Sequence, residues 1–153
     1  LRFMSGGQTH VPMTIRTMTG AGGGAGGQHT DMLEAWFAHV AGIKVVAPST
    51  PADAYGLLRS CIEDDDPCLF VENMPTYWTN GDAPVPGTRI PLGKASVVSE
   101  GSDVTIISYA RTMIEAGGAV KARSEAGSGA ELIDLRTIAP FDLETILTSV
   151  RKT

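Results

Sequence analysis

Apolar and polar positions alternate along this chain with two different periods. Val11-Pro12-Met13-Thr14-Ile15-Arg16 predicts a short strand. Leu33, Trp36, Phe37 and Val40 recur at helical spacing, with Asp31 and Glu34 placed as a capping box and Gly42 as the stop. Trp36 and Phe37 are therefore expected in the core. Ile43 to Ala47 is an almost unbroken apolar run of the kind found in buried parallel strands. Pro48-Ser49-Thr50-Pro51 ends it, and Thr50 with Pro51 marks a capped helix start. Ala54, Leu57, Leu58, Cys61 and Ile62 carry that helix to Asp64-Asp65-Asp66-Pro67, and Cys68 to Glu72 is a second buried strand.

From Asn73 to Pro91 the pattern lapses. Pro75, Pro84, Pro86 and Pro91 fall here among glycine and polar residues, which predicts a linker or irregular excursion. The aromatics Tyr77 and Trp78 within it call for a surface to bury against, such as a subunit or domain interface. Alternation then resumes. Val104 to Tyr109 and Leu132 to Leu135 predict strands, and Thr112 to Ala126 a helix thinned by Gly117 and Gly118. Asp142 opens a helix with Ile146, Leu147 and Val150 on one face. Strands alternating with helices imply an α/β class with parallel sheet. The break at the linker implies two units, the first entered part-way and the second left unfinished, as in a piece of a longer protein.

Composition narrows the function. The 153 residues are 42% apolar and 19% charged with net charge −5, which argues against a nucleic-acid binder because such domains carry a basic stripe. No apolar run approaches the ~20 residues of a membrane span. The cysteines, Cys61 and Cys68, are expected as buried, reduced thiols. The three histidines have no metal-ligand spacing that would support a zinc site.

The glycine-dense loop from Gly20 to Gly27 is the loudest local signal. Gly22, Gly24 and Gly27 formally match a dinucleotide fingerprint between strand and helix, but the next strand ends Ala47-Pro48-Ser49 without the acid that would hold a ribose. No Gly-Lys-Ser/Thr follows, so it is not a phosphate loop. His29, just past the loop and before a helix, is the better candidate. An imidazole titrates near neutrality, and a helix N-terminus lowers its pKa and favours anions; the alternative is a capping or core histidine. His10 and His39 rank below it. Asp64, Asp65 and Asp66 read as a solvated turn sooner than a hard-cation site. Asn80-Gly81-Asp82 lacks the second glycine of a Gly-Asp-Gly magnesium motif.

Together these segments resemble the beta subunit of thiamine-diphosphate-dependent 2-oxo acid dehydrogenases. The likeness runs through Phe3-Met4-Ser5-Gly6-Gly7, Val11-Pro12, the loop ending Gln28-His29, Glu34-Ala35-Trp36-Phe37-Ala38-His39-Val40 and Gly42-Ile43-Lys44-Val45-Val46-Ala47-Pro48-Ser49. It continues through Pro91-Leu92-Gly93-Lys94-Ala95, Asp103-Val104-Thr105-Ile106 and Ile133-Asp134-Leu135-Arg136-Thr137-Ile138-Ala139-Pro140. The resemblance implies a transketolase-like fold: the C-terminal half of a parallel-sheet pyrimidine-binding domain over residues 1–75, a linker over 76–92 and the start of the transketolase C-terminal domain over 93–153. It implies oxidative decarboxylation of a 2-oxo acid, pyruvate foremost, with acyl transfer to lipoamide. It also implies thiamine diphosphate shared with an alpha subunit that holds the magnesium, a second beta subunit and a lipoyl-bearing dihydrolipoamide acyltransferase. The location implied is bacterial cytoplasm or mitochondrial matrix.

By the same resemblance His29 is the active-site histidine that orients the lipoyl group and supplies a proton. A structural potassium ion would take backbone carbonyls at Met13, Cys61, Asp64 and Asp66, with Ile62 beside them. The family's ring-contacting glutamate falls upstream of Leu1, so this chain alone is expected to be inactive and to supply no cofactor-binding residue. The rival readings are another transketolase-like enzyme, such as a deoxyxylulose-phosphate synthase, and a non-catalytic assembly module.

Overall fold

A computed structural model describes residues 2–20, 26–28 and 30–153. Two sheets share the chain. The first has the order β1-β3-β2-β7 and is built from β1 (Thr14–Thr19), β2 (Lys44–Val46), β3 (Cys68–Asn73) and β7 (Thr137–Ala139). β1 and β2 both run parallel to β3, and β7 joins antiparallel to β2. The second has the order β4-β6-β5, from β4 (Ser96–Ser99), β5 (Val104–Ser108) and β6 (Ala130–Asp134). The helices are α1 (Glu34–Ala38), α2 (Pro51–Ile62), α3 (Thr112–Glu125) and α4 (Leu143–Lys152). The α/β class and the parallel core of the first sheet are as the alternation predicts.

The helix signals of α2 act as expected. The Thr50 hydroxyl accepts from the Asp53 N–H at 3.1 Å, and Pro51 occupies the first turn, where its missing N–H leaves nothing unpaired. The strands of the first sheet are two-sided. Val46, Cys68 and Phe70 pack with Leu57 and Cys61 of α2, while Val45, Leu69 and Val71 face the other way, toward Ala110, Tyr109 and Ile138.

Four expectations are corrected. The first strand begins three residues later than predicted: the Val11 N–H is spent on Asp65 and Pro12 has none, so the ladder opens at Thr14 opposite Cys68. α1 is a single short helix whose N-cap, Leu33, makes no side-chain bond; the Asp31–Glu34 box does not form because Glu34 turns inward to the end of β1. Trp36 is 72% exposed and Phe37 is partly exposed, so neither is a sealed core residue. On α4 the buried position is Ser149, and Leu147 and Val150 are exposed.

The segment predicted as a linker is irregular beyond a 3-10 turn at Met74–Trp78, but it is packed. It runs back along α2 as a strap. The Gly87 N–H donates to the Tyr55 hydroxyl, the Ile90 N–H to the Gly56 carbonyl, and the Ser60 hydroxyl to the Ile90 carbonyl at 2.7 Å. Gly56 permits this close approach, since a Cβ there would lie 2.7 Å from Ile90 Cγ1. Trp78 is largely exposed, and Tyr77 is half-exposed with its hydroxyl on Glu72.

Candidate functional site

β1 and β3 stay in register from Thr14 and Cys68 to Thr19 and Asn73, so their carboxyl ends coincide. In open α/β sheets ligands gather at this end. Gly20 follows β1 at φ +93°, and a side chain there would overlap the Asn73 carboxamide, so the backbone of Gly20 passes directly over Asn73. Asn73 is 2% exposed and its Oδ1 has no hydrogen-bond partner among the described residues. Glu34, also buried, accepts from the Thr19 hydroxyl at 3.0 Å. The Tyr109 hydroxyl is pushed above its ordinary pKa, first by burial and then by the charge of Glu34.

Two cavities open at this end. One of about 320 Å³ lies against β1 and is walled by Met18, Leu33, Phe37 and Val71 with Glu34 and Gln28 at its edge. The other, about 210 Å³, is lined by Met32, Asn73, Tyr109 and the first turn of α3. Ala110, buried and at φ +50°, makes the sharp turn from β5 into that helix. His29 lies outside the described residues; its neighbour Gln28 borders the larger of these cavities. His10 sits 3.6 Å from Asp65, remote in the fold from this end.

A second polar cluster joins the two sheets. The Ser49 hydroxyl donates to Asp134, Arg136 Nη2 pairs with Asp53 at 2.7 Å, and the Arg136 N–H donates back to Asp134 at 3.0 Å. Burial pushes the Asp134 carboxyl up, against its bonds from Ser49 and Arg136. A cleft of about 620 Å³ opens beside this cluster, with Val98, Ile114 and Leu132 on one wall and Asn80-Gly81-Asp82 on the other.

The residues that the resemblance assigns to a potassium ion meet at the opposite end of the strands. The Thr14 hydroxyl donates to the Cys61 carbonyl at 2.9 Å, and the Cys68 N–H to the Met13 carbonyl at 2.8 Å. The Asp64 carboxylate takes Lys44 at 2.7 Å, and Asp66 takes Arg2 at 2.6 Å. Ile62 is exposed. Carbonyls of Met13 and Cys61 are thus brought close, while the acidic side chains are turned to cations of the chain. Among the described residues no group of three or more His, Cys, Asp or Glu side chains is arranged to hold a metal. Cys61 and Cys68 are free, buried thiols, and the Cys68 thiol donates to the Asp66 carbonyl at 3.5 Å. The Cys61 thiol is pushed up, first by the neighbouring Cys68 and then by burial, and Cys68 is held below the ordinary thiol value by Cys61.

Sequence reasoning missed Glu34, Asn73 and the Ser49–Asp53–Asp134–Arg136 cluster as site or junction residues. Asn73, at the end of an apolar strand, and Asp134, inside another, were the available signals, because a polar group in a buried run must find a partner.

Residues 1–78 match the transketolase pyrimidine-binding domain and residues 93–153 the transketolase C-terminal domain. The chain is 43% identical over 152 residues to the beta subunit of acetoin:2,6-dichlorophenolindophenol oxidoreductase of Cupriavidus necator, covering 99% of this chain and 45% of that one. It is 44% identical over 154 residues to the pyruvate dehydrogenase E1 component subunit beta of Bacillus subtilis, covering 100% of this chain and 47% of that one. The chain thus spans about half the length of the curated relatives it matches. Among solved structures, a split-gene transketolase described as an inactive beta4 tetramer superposes with a TM-score of 0.79 over 94% of this chain and 46% of that one, at 22% identity, a likeness of fold. The chain belongs to the transketolase pyrimidine-binding-domain family, followed here by the family's C-terminal domain.

Proposed function

We propose that this chain is part of the beta subunit of a thiamine-diphosphate-dependent dehydrogenase that decarboxylates a 2-oxo acid, pyruvate foremost, and passes the acyl group to lipoamide. The observation that carries the reading is the tandem of the two transketolase domains together with 43–44% identity to such beta subunits along the whole chain. Its partners are an alpha subunit, a second beta subunit and a lipoyl-bearing dihydrolipoamide acyltransferase. Its location is the bacterial cytoplasm or the mitochondrial matrix. Among the described residues no helix is long and apolar enough to cross a membrane.

The described residues do not fit the whole cofactor. By the family resemblance the diphosphate and its magnesium belong to the alpha subunit; among the described residues no group of three or more His, Cys, Asp or Glu side chains is arranged to hold a metal. When bound, thiamine diphosphate supplies the carbanion chemistry. This chain contributes His29, the family's active-site histidine by resemblance, to orient the lipoyl group and donate a proton. A potassium ion on the carbonyls of Met13, Cys61, Asp64 and Asp66, beside Ile62, would fix the turn into β3; each carbonyl keeps a second lone pair for it.

The test is co-expression of the full-length protein with its alpha partner and assay of pyruvate, 3-methyl-2-oxobutanoate and acetoin with an artificial electron acceptor. Cofactor-dependent turnover of one of them is expected. His29→Ala is expected to lose acyl transfer to lipoamide while retaining the alpha subunit. A folded, cofactor-loaded assembly that turns over none of the three substrates overturns the reading in favour of another transketolase-like enzyme or an assembly module. Acetoin is included because acetoin and pyruvate relatives are equally similar to this chain.

A further inference from the structure

We propose that Asn80-Gly81 is a self-modification site, at which the Gly81 amide nitrogen displaces ammonia from the Asn80 carboxamide and water then leaves an aspartyl or isoaspartyl carboxylate on the wall of the large cleft. In the sequence the pair registers only as a magnesium motif without its second glycine, and no part of the proposed catalysis uses it. The fold sets it in the stretch 79–85, which has no helix or strand. Asn80, Gly81, Asp82 and Ala83 are all exposed. Among the described residues neither the Asn80 carboxamide nor the Gly81 N–H makes a hydrogen bond.

Each of these observations meets a requirement of the reaction. The nucleophile is the Gly81 nitrogen after its proton is lost to hydroxide, so it must meet water and be spared from a backbone bond. Closing a five-membered ring needs rotation about the bonds between the two residues, and no ladder of hydrogen bonds holds them here. A side chain on the following residue would crowd the attack, and glycine has none. Asn73, the chain's other asparagine, fails on two counts: it is 2% exposed at the end of β3, and Met74 follows it.

The step balances with water as the one co-reactant. Attack forms a bond between the Gly81 nitrogen and the Asn80 Cγ and breaks the bond from Cγ to the side-chain nitrogen. That nitrogen leaves as ammonia with the proton from the Gly81 N–H, and a cyclic imide remains. Water opens the imide at either carbonyl, giving aspartate or, with the chain rerouted through the side-chain carbon, isoaspartate. No electrons are gained or lost. Either product adds a negative charge to a cleft already lined by Asp53, Asp82 and Asp134. The isoaspartyl form also lengthens the chain next to Gly81, which rests on Pro51 at the start of α2: a Cβ on Gly81 would lie 3.3 Å from Pro51 Cγ. Nothing in this inference depends on the proposed catalytic role.

The folded full-length protein is aged in mildly alkaline buffer at body temperature, cut with trypsin, and followed by tandem mass spectrometry. Arg59 and Arg89 bound a single peptide, Ser60–Arg89, that carries both asparagines, so Asn73 is a control within the same molecule. The expected product is this peptide heavier at position 80 by the difference between an amide and an acid, eluting as two isomers, with Asn73 unchanged. The same peptide, excised before ageing, gives the reference rate, and the ratio of the two rates reports how far the folded chain must open before it reacts. The folded rate is expected within about threefold of the peptide's. A folded rate lower by about tenfold or more overturns the proposal, because the fold then holds the pair in a protected conformation. Equal conversion at Asn73 overturns it too, since global unfolding is then the source. Asn80→Gln is expected to abolish the mass gain, and its persistence in that variant places the reaction elsewhere.

Discussion

The two faces of the first sheet are made by alternate residues of the same strands, and both are buried, but by different elements. On one face Val46, Cys68 and Phe70 lie under α2 and the strap at Ile90 and Leu92, and none is more than 1% exposed. On the other, Val45, Leu69 and Val71, none more than 4% exposed, are covered by Ala110 and by partly buried Tyr109 and Ile138, while the nearby α1 leaves Trp36 mostly in solvent. The period of two decides which side chains share a face. Which elements cover each face, and how firmly those elements are held, is a separate matter. α2 has a satisfied cap and twelve residues; α1 has five and no side-chain cap.

Removing the centre of the face under α2 should have the largest effect. Leu57→Ala deletes a fully buried side chain and is expected to destabilise by about 3 kcal/mol in urea unfolding of the full-length protein. A loss below about 1 kcal/mol would mean that the face repacks freely and the contrast is false. Next comes the strap. Gly56→Val drives a side chain into Ile90 and is expected to destabilise by about 2 kcal/mol, with Ile90→Ala in the same background recovering part of it. Thr50→Ala removes the cap of α2 and is expected to lower stability by about 1 kcal/mol, seen as a shift in the urea midpoint.

A pH-dependent contribution lies in the second sheet. Burial pushes the Glu131 carboxyl up, but its ion pair with Lys152 outweighs this and the group is held at about 2, below the ordinary 4.5. Stability from this group is therefore present above the ordinary value and lost as pH falls toward about 2. Lys152→Met should flatten that part of the pH profile of the urea midpoint; an unchanged slope would remove Lys152 as its cause. The smallest effect is expected on α1, where Trp36→Ala should change stability by no more than about 0.5 kcal/mol. A large loss there would show that α1 is anchored by the indole after all.

Legibility followed the same division. α2 was readable from Thr50, Pro51 and the run Ala54-Leu57-Leu58-Cys61 because caps and periodicity act over a few residues and α2 keeps them all. α1 carried the same spacing and was misjudged. Its capping glutamate had a competing partner, the Thr19 hydroxyl, fifteen residues away. The glycine loop stood out in the sequence, but not that Asn73 lies beneath Gly20, since that depends on the pairing of β1 with β3.

By itself the sequence determined the α/β class, the buried strands β2 and β3, the capped α2 and, through its motifs, the family. The class, the strands and the helix rest on local composition and spacing, and the family on the resemblance of whole segments. Only the tertiary structure decided that β7 crosses to the first sheet as an antiparallel edge, that the proline-rich segment straps α2, and that Asp53, Asp134 and Arg136 share one buried cluster. Strand partners far apart in the chain, and the pairing of buried charges, are set by register and desolvation across the whole fold, and no window of neighbouring residues contains either.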